Sequence, residues 1–224
     1  MPTEGVKLLD MWASPFGMRV RIALLAKGVA YESQEEDLFG GKSDLLLSSN
    51  PIYQKVPVLL HDGKPMVESS NIVSYIDEVW PNPPLMPACA YGRARARFWT
   101  HYIDEKLFSG GRDIWLSTGE ADQLEVAKKE FIEILKVLEG ALSGEDYFGG
   151  DSFGYVDIMT IAIASWFPAV EKYGKFKVED HCPKISAWIK RCMEVDSVAK
   201  VIPEAEKICG CVAYIRKLNG FAEE

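Results

Sequence analysis

Apolar positions along the chain follow two different periods, and the change from one to the other divides it. From Val6 to Trp80 short apolar runs alternate with helical patterns, whereas from Tyr91 onward helical spacing dominates and strand signals nearly vanish. In the first stretch the pattern predicts a strand over Val6–Asp10, a helix over Pro15–Ala26, a strand over 31–35 and a short helix over 43–49. Two further apolar runs, 56–60 and 65–67, flank His61-Asp62-Gly63-Lys64, and Asp-Gly at the centre of such a turn is the usual signal for a tight hairpin. A helix over Ser69–Val79 follows, with Ile72, Ile76 and Val79 repeating on one face. A βαβ unit followed by a hairpin and a closing helix fits a small mixed sheet with helices on both faces.

In the second stretch Phe131, Leu135, Leu138 and Leu142 fall at helical spacing and place a narrow apolar stripe on one helix. The run 155–167 is apolar enough to predict a helix buried on most sides, and Pro183–Met193 opens with a proline where the first helical turn needs no donor. Gly154-Tyr155-Val156-Asp157 has the form of a capping box with Gly in place of Ser or Thr, which assigns it to folding. Between the stretches, the prolines of Pro81-Asn82-Pro83-Pro84-Leu85-Met86-Pro87 withhold backbone donors and hold an extended path. The expected organisation is a mixed α/β domain over 1–80, a linker over 81–90 and an all-helical domain over 91–224.

A hydrophobic share of 48% supplies a packed core for a chain of 224 residues and argues against disorder. A formal charge of -8 argues against nucleic acid as a partner, because phosphate contacts need a surplus of Lys and Arg. The start lacks a basic stretch followed by a long apolar run, and no later apolar run approaches ~20 residues, so the expectation is a cytosolic protein with no membrane partner. Five cysteines (Cys89, Cys182, Cys192, Cys209, Cys211) are an odd number and suit reduced thiols rather than a disulfide framework. Neither the histidines (His61, His101, His181) nor Cys209-Gly210-Cys211 show metal-ligand spacing, so no metal is predicted.

The most informative string is Trp12-Ala13-Ser14-Pro15-Phe16, between the first strand and the first helix. Ser14 is a natural N-cap and Pro15 takes the first helical position, so the Ser14 hydroxyl stands where unpaired amides and partial positive charge favour an anion. On this string alone a simple helix cap is the preferred reading.

Further strings change that weighting: Asn50-Pro51, Lys55-Val56-Pro57-Val58-Leu59, Glu68-Ser69 and Gly154-Tyr155-Val156-Asp157. Together with Ser14-Pro15-Phe16 they resemble the glutathione transferases, specifically the tau class of plants, over essentially the whole chain. The resemblance implies a thioredoxin-like domain with a mixed four-stranded sheet, followed by an all-helical domain. It implies glutathione as a co-substrate, no permanently bound cofactor, and Ser14 as the catalytic residue that donates a hydrogen bond to the glutathione sulfur and holds it as a thiolate. A free thiol titrates near ~8.5 and a hydrogen bond to a charged group is worth roughly 1.5–3 kcal/mol, which at ~1.4 kcal/mol per unit gives substantial thiolate at neutral pH.

The same resemblance distributes the tripeptide. Val56, ahead of a cis Pro57, would pair its backbone with the cysteinyl part, although for an X-Pro bond taken alone trans is the default. Glu68 would take the ammonium group, and Ser69 with the first-turn amides the γ-glutamyl carboxylate. Lys42 and Lys55 would meet the glycyl carboxylate. Phe16, Phe108, Arg112, Trp115 and Trp166 would line a hydrophobic site for apolar electrophiles, although aromatics at helical spacing are more often core. Trp115 has the better claim, since Ser117-Thr118-Gly119 suggest a helix end near the surface. The implied activity is nucleophilic addition or substitution, with glutathione-dependent hydroperoxide reduction beside it. The rival is a non-catalytic carrier of apolar small molecules. The family forms homodimers, which places Arg93, Arg95 and Arg97 opposite Asp77 and Glu78 of a second subunit.

Overall fold

β1 (Val6–Asp10) is a strand without a polar face: Leu8 and Leu9 point to opposite sides and both are fully buried. Such a strand needs cover on both faces, and the computed structural model, which describes residues 5–117 and 121–221, supplies it. The sheet has the order β2-β1-β3-β4, with β2 (Glu32–Glu35) parallel to β1 and β3 (Val58–His61) antiparallel to it. β4 (Lys64–Val67) closes the hairpin antiparallel to β3. Register decides which apolar pairs meet. Leu9 stands opposite Val58, and both pack with Leu46 of α2 (Asp44–Ser49). Leu8 and Leu59 turn to the other face, the side on which α1 (Pro15–Ala26) and α3 (Ser69–Val79) lie against each other. In the hairpin, His61 pairs with Lys64 and the two turn residues have φ of 51° at Asp62 and 74° at Gly63, which is why Asp-Gly suits it.

By internal contacts the chain divides into two units, Met1–Met86 and Pro87–Glu224. Asp77 ties the proline-rich segment to the first: its carboxylate accepts the Leu85 and Met86 amides at 2.7 and 3.0 Å and pairs with Lys27 Nζ at 2.5 Å.

Among its described residues, the regular elements of the second unit are all helices. α4 (Ala90–Tyr102) runs through a π-helical turn (Ile103–Phe108) into α5 (Ser109–Trp115), and helical backbone angles are kept at both joins. α6 (Ala121–Leu142) buries Phe131, Leu135, Leu138 and Leu142, the predicted stripe. Gly110 and Gly111 let α5 approach it closely, since a Cβ on Gly110 would stand 3.1 Å from Ile134. Every residue of α7 (Tyr155–Ala164) is buried. Asp157 serves the cap as expected and more: its carboxylate accepts the Gly154 amide, the Phe148 amide and the Trp188 indole N–H at 3.0, 3.0 and 2.8 Å.

The single helix predicted over 155–167 is in fact two. α7 ends at Ala164 and α8 (Phe167–Gly174) begins, because Pro168 has no N–H for the carbonyl a turn earlier. The Ser165 hydroxyl donates instead to the Ala162 carbonyl at 2.7 Å. The unit is completed by α9 (Val178–His181), α10 (Pro183–Met193), α11 (Asp196–Ala199) and α12 (Ala205–Leu218).

Candidate functional site

The turn between β1 and α1 is held from several sides before it presents any chemistry. The Ser14 amide donates to the Met11 carbonyl at 2.8 Å, and the Ala13 amide meets the Met11 sulfur at 3.1 Å. Trp12 is tied at both ends of its peptide unit: its amide donates to Glu35 Oε1 at 2.8 Å, and its carbonyl accepts Arg21 Nη2 at 2.6 Å. Ser14 itself has extended angles, caps α1 with its Oγ accepting the Gly17 amide at 3.2 Å, and is followed by Pro15 at the start of the helix. A hydroxyl that accepts in this way still has its proton to give. Helix N-termini carry partial positive charge, so a soft anion placed at Ser14 would meet a donor and a favourable field together.

Behind this turn lies Asp10, buried to 2% exposure, with Oδ2 3.0 Å from Arg21 Nε. Burial pushes its carboxyl up to about 7, against the opposing pull of the Arg21 charge and the Met11 amide. Asp10 also explains a glycine. A Cβ on Gly17 would lie 1.7 Å from Asp10 Oδ1, so only glycine fits in the first turn of α1.

A recess of about 330 Å³ in the first unit is lined by Phe16, Asn50, Tyr53, Lys55, Val56, Pro57, Glu68 and Ser69. Five of the residues singled out from sequence therefore meet there: Phe16, Lys55, Val56, Glu68 and Ser69. The Val56-Pro57 bond is cis. Ser14 and Lys42 are not among the lining residues; Lys42 is exposed, next to the α2 cap Ser43, whose amide and hydroxyl both donate to buried Glu36. Asn50 shapes the recess by accepting the Tyr53 amide and donating to the Lys55 carbonyl at 3.0 Å. Glu68 has φ of 68°, a left-handed angle that non-glycine residues seldom adopt, and such angles concentrate where a ligand is held.

Sequence reasoning missed Arg19. It is fully buried, donates from Nη1 to Ser69 Oγ at 3.1 Å and sets its guanidinium 5.1 Å from the centre of the Phe16 ring. The available signal was an arginine between Met18 and Val20, inside an apolar helix where a charge has no business unless something anionic comes near. Lys55 and Glu68 are the charged residues that line the recess, and Arg19 lies behind it on Ser69.

In the second unit Trp115 and Trp166 pack ring on ring, with centroids 5.6 Å apart. Trp115 ends α5 and its side chain is buried; of Ser117-Thr118-Gly119, on which the expectation of a helix end near the surface rested, Thr118 and Gly119 lie outside the described residues. Trp166 lies in the turn between α7 and α8 rather than on a helix. Phe108 ends the π-turn, half-buried, and Arg112 is exposed, 3.6 Å from Asp113. Asp77 is occupied within its own chain, and Arg93 donates to the Ala88 carbonyl at 2.5 Å, which leaves Arg95, Arg97 and Glu78 as the exposed members of the expected intersubunit set.

Among the described residues no group of His, Cys, Asp or Glu could hold a metal ion, and no helix is long and apolar enough to cross a membrane.

Comparison with known proteins places these arrangements. Residues 4–78 match the family "Glutathione S-transferase, N-terminal domain" and residues 98–196 match "Glutathione S-transferase, C-terminal domain". The chain is 53% identical to "Probable glutathione S-transferase parC" of Nicotiana tabacum, covering 98% of this chain and 99% of that one. It is 51% identical to "Glutathione S-transferase U25" of Arabidopsis thaliana, covering 99% of each. Among solved structures it is similar to rice GST1 in complex with glutathione, with a TM-score of 0.89 at 44% identity over 95% of this chain and 98% of that one. A tau-class glutathione S-transferase from mango matches with the same TM-score at 40% identity, over 95% of this chain and 99% of that one.

Proposed function

The chain belongs to the tau class of the glutathione S-transferases, and from that premise we propose how its own residues carry out the transfer. Its function is conjugation of glutathione, which enters as a co-substrate. In our reading it is a serine-type enzyme. Glutathione lies in the recess of the first unit: the Val56 backbone pairs with its cysteinyl part, Glu68 takes the ammonium, and Ser69, backed by Arg19, takes the γ-glutamyl carboxylate. Lys55 meets the glycyl carboxylate, with Lys42 reaching in from beyond the lining. Ser14 donates its hydroxyl proton to the sulfur and holds it as the thiolate.

One observation carries the reading: the Ser14 hydroxyl caps α1 by accepting from Gly17, so its proton is turned to serve another acceptor at a helix terminus. The thiolate then attacks an apolar electrophile received by Phe16, Phe108, Arg112, Trp115 and Trp166. The same thiolate attacks hydroperoxide oxygen as a side activity. Five cysteines, all free, suit a reducing cytoplasm, and the working form is a homodimer.

The test is the ultraviolet thiolate absorbance of bound glutathione titrated against pH, in the unmodified protein and in Ser14→Ala. We expect a thiol pKa clearly below ~8.5 that returns toward that value on substitution, with kcat/KM falling at least ~10-fold. An unshifted pKa in the unmodified protein would overturn serine activation.

A further inference from the structure

A buried cation needs compensation, and Arg216 of α12 finds it in an unusual set of partners. The side chain is 8% exposed, and among the described residues no carboxylate pairs with it. Nη1 donates instead to the backbone carbonyl of Trp115, and at 3.4 Å to that of Ser117. The last carbonyls of a helix lack intrahelical donors and carry partial negative charge, so the C-terminal end of α5 can neutralise a guanidinium without an acid. Two aromatic rings complete the shell: Tyr173 of α8 at 4.3 Å and Phe221 at 4.7 Å from the guanidinium carbon.

Phe221 is brought there by a second, independent device. α12 ends at Leu218, Gly220 turns left-handed with φ of 82°, and the amides of Gly220 and Phe221 donate back to the carbonyls of Lys217 and Arg216 at 3.0 and 3.1 Å. This is a Schellman ending, in which the residue after the turn normally makes an apolar contact with the residue five before it. Here that contact is the Phe221 ring on the Arg216 guanidinium. The chain end, α12, α8 and the end of α5 thus meet on one side chain, and α5 delivers Trp115, whose ring packs on Trp166.

We propose that Arg216 is a positioning residue that sets electrophile selectivity, by latching α12 to the Trp115 end of α5 and so fixing the Trp115–Trp166 pair. The proposal rests on the reading above that these two indoles face the electrophile. Glutathione is held by the other unit, so the latch acts on one substrate and not on the other. Lysine cannot replace it, since an ammonium has no plane to stack on the Tyr173 and Phe221 rings.

The experiment is steady-state kinetics of the full chain with 1-chloro-2,4-dinitrobenzene and with a bulkier nitro-substituted diphenyl ether, in Arg216→Lys, Phe221→Ala and Trp115→Leu. For Arg216→Lys we expect the KM for electrophile to rise about three- to tenfold, the ratio of kcat/KM between the two electrophiles to move about threefold or more, and the KM for glutathione to stay within about twofold. Phe221→Ala, which keeps the backbone cap, moves the same quantities in the same direction by less. If Trp115→Leu shifts the selectivity ratio while folded Arg216→Lys and Phe221→Ala do not, the latch is overturned. A parallel rise in both KM values overturns it as well, since that marks a fold-wide effect. If Trp115→Leu also leaves the ratio unmoved, the electrophile site lies elsewhere and the proposal falls together with the reading beneath it.

Discussion

Single side chains are tightly constrained behind the turn between β1 and α1, where a Cβ on Gly17 would collide with the buried Asp10 carboxylate. Gly17→Ala drives a methyl against a carboxylate that has no room to retreat, so we expect a loss of about 1–3 kcal/mol in urea unfolding. Adding Asp10→Ala to that variant restores part of the loss, because it removes the obstacle. Asp10 also gives stability a pH dependence with a defined sign. Its folded-state pKa is raised from 3.8 to about 7, so the fold favours the protonated form. That contribution is fully present below 3.8 and is lost as pH rises through about 7. Asp10→Asn removes it, and the stability difference between Asp10→Asn and the unmodified protein should therefore grow in favour of the variant from pH 5 to 7.5 (approximate buffer values), measured by urea midpoints. An unchanged difference would show that Asp10 titrates as an ordinary exposed carboxylate. Ser14, Glu68 and Ser69 could be proposed through the family resemblance, and each sits at a helix start, where the local signal by itself reads as a cap. Arg19 and Arg216 were not, because their partners are 50 and about a hundred residues away.

At the scale of elements, the strands and helices of the first unit were legible to within a few residues, as was α10, since apolar period, prolines and Asp62-Gly63 are local statements, whereas α4, α9, α11 and α12 were not delimited. The capping motif at Asp157 was legible too, but not its reach. The same carboxylate gathers the Phe148 amide and the Trp188 indole, and burial pushes it up to about 6 despite those donors. Asp157→Ala leaves three donors unpaired in the interior, and we expect it to cost about 3 kcal/mol or more while the folded fraction keeps its glutathione affinity by calorimetry. A large affinity loss would mean that the motif reaches into the binding site. Two features escaped the sequence for different reasons. The break between α7 and α8 was masked by continuous hydrophobicity, although Pro168 announced it. The π-turn at Ile103–Phe108 has no compositional mark, because its hydrogen-bond offset is set by packing rather than by residue type.

Across the whole molecule, the proposed dimer is testable on the charges that remain exposed. Asp77 and Arg93 are consumed within the chain, whereas Glu78, Arg95 and Arg97 are exposed. If the homodimer uses them, Glu78→Arg should weaken it about tenfold in sedimentation equilibrium, and Arg95→Glu in the same chain should recover part of the loss. Equal dimer constants in all three proteins would place the interface on other residues. The division into two units was visible as a change of hydrophobic period; the details within each depended on which distant residues the fold brought together. The π-turn has a further consequence, for how such a protein could diverge. A π-turn closes its hydrogen bonds one residue later than an α-turn, so one residue lost from Ile103–Phe108 would be absorbed by closing that turn to α-helix, leaving the residues after it, Arg112 and Trp115 included, facing as they do now. Length changes are therefore tolerated at that turn, whereas one residue gained or lost within α5 itself would turn its later residues by about 100°.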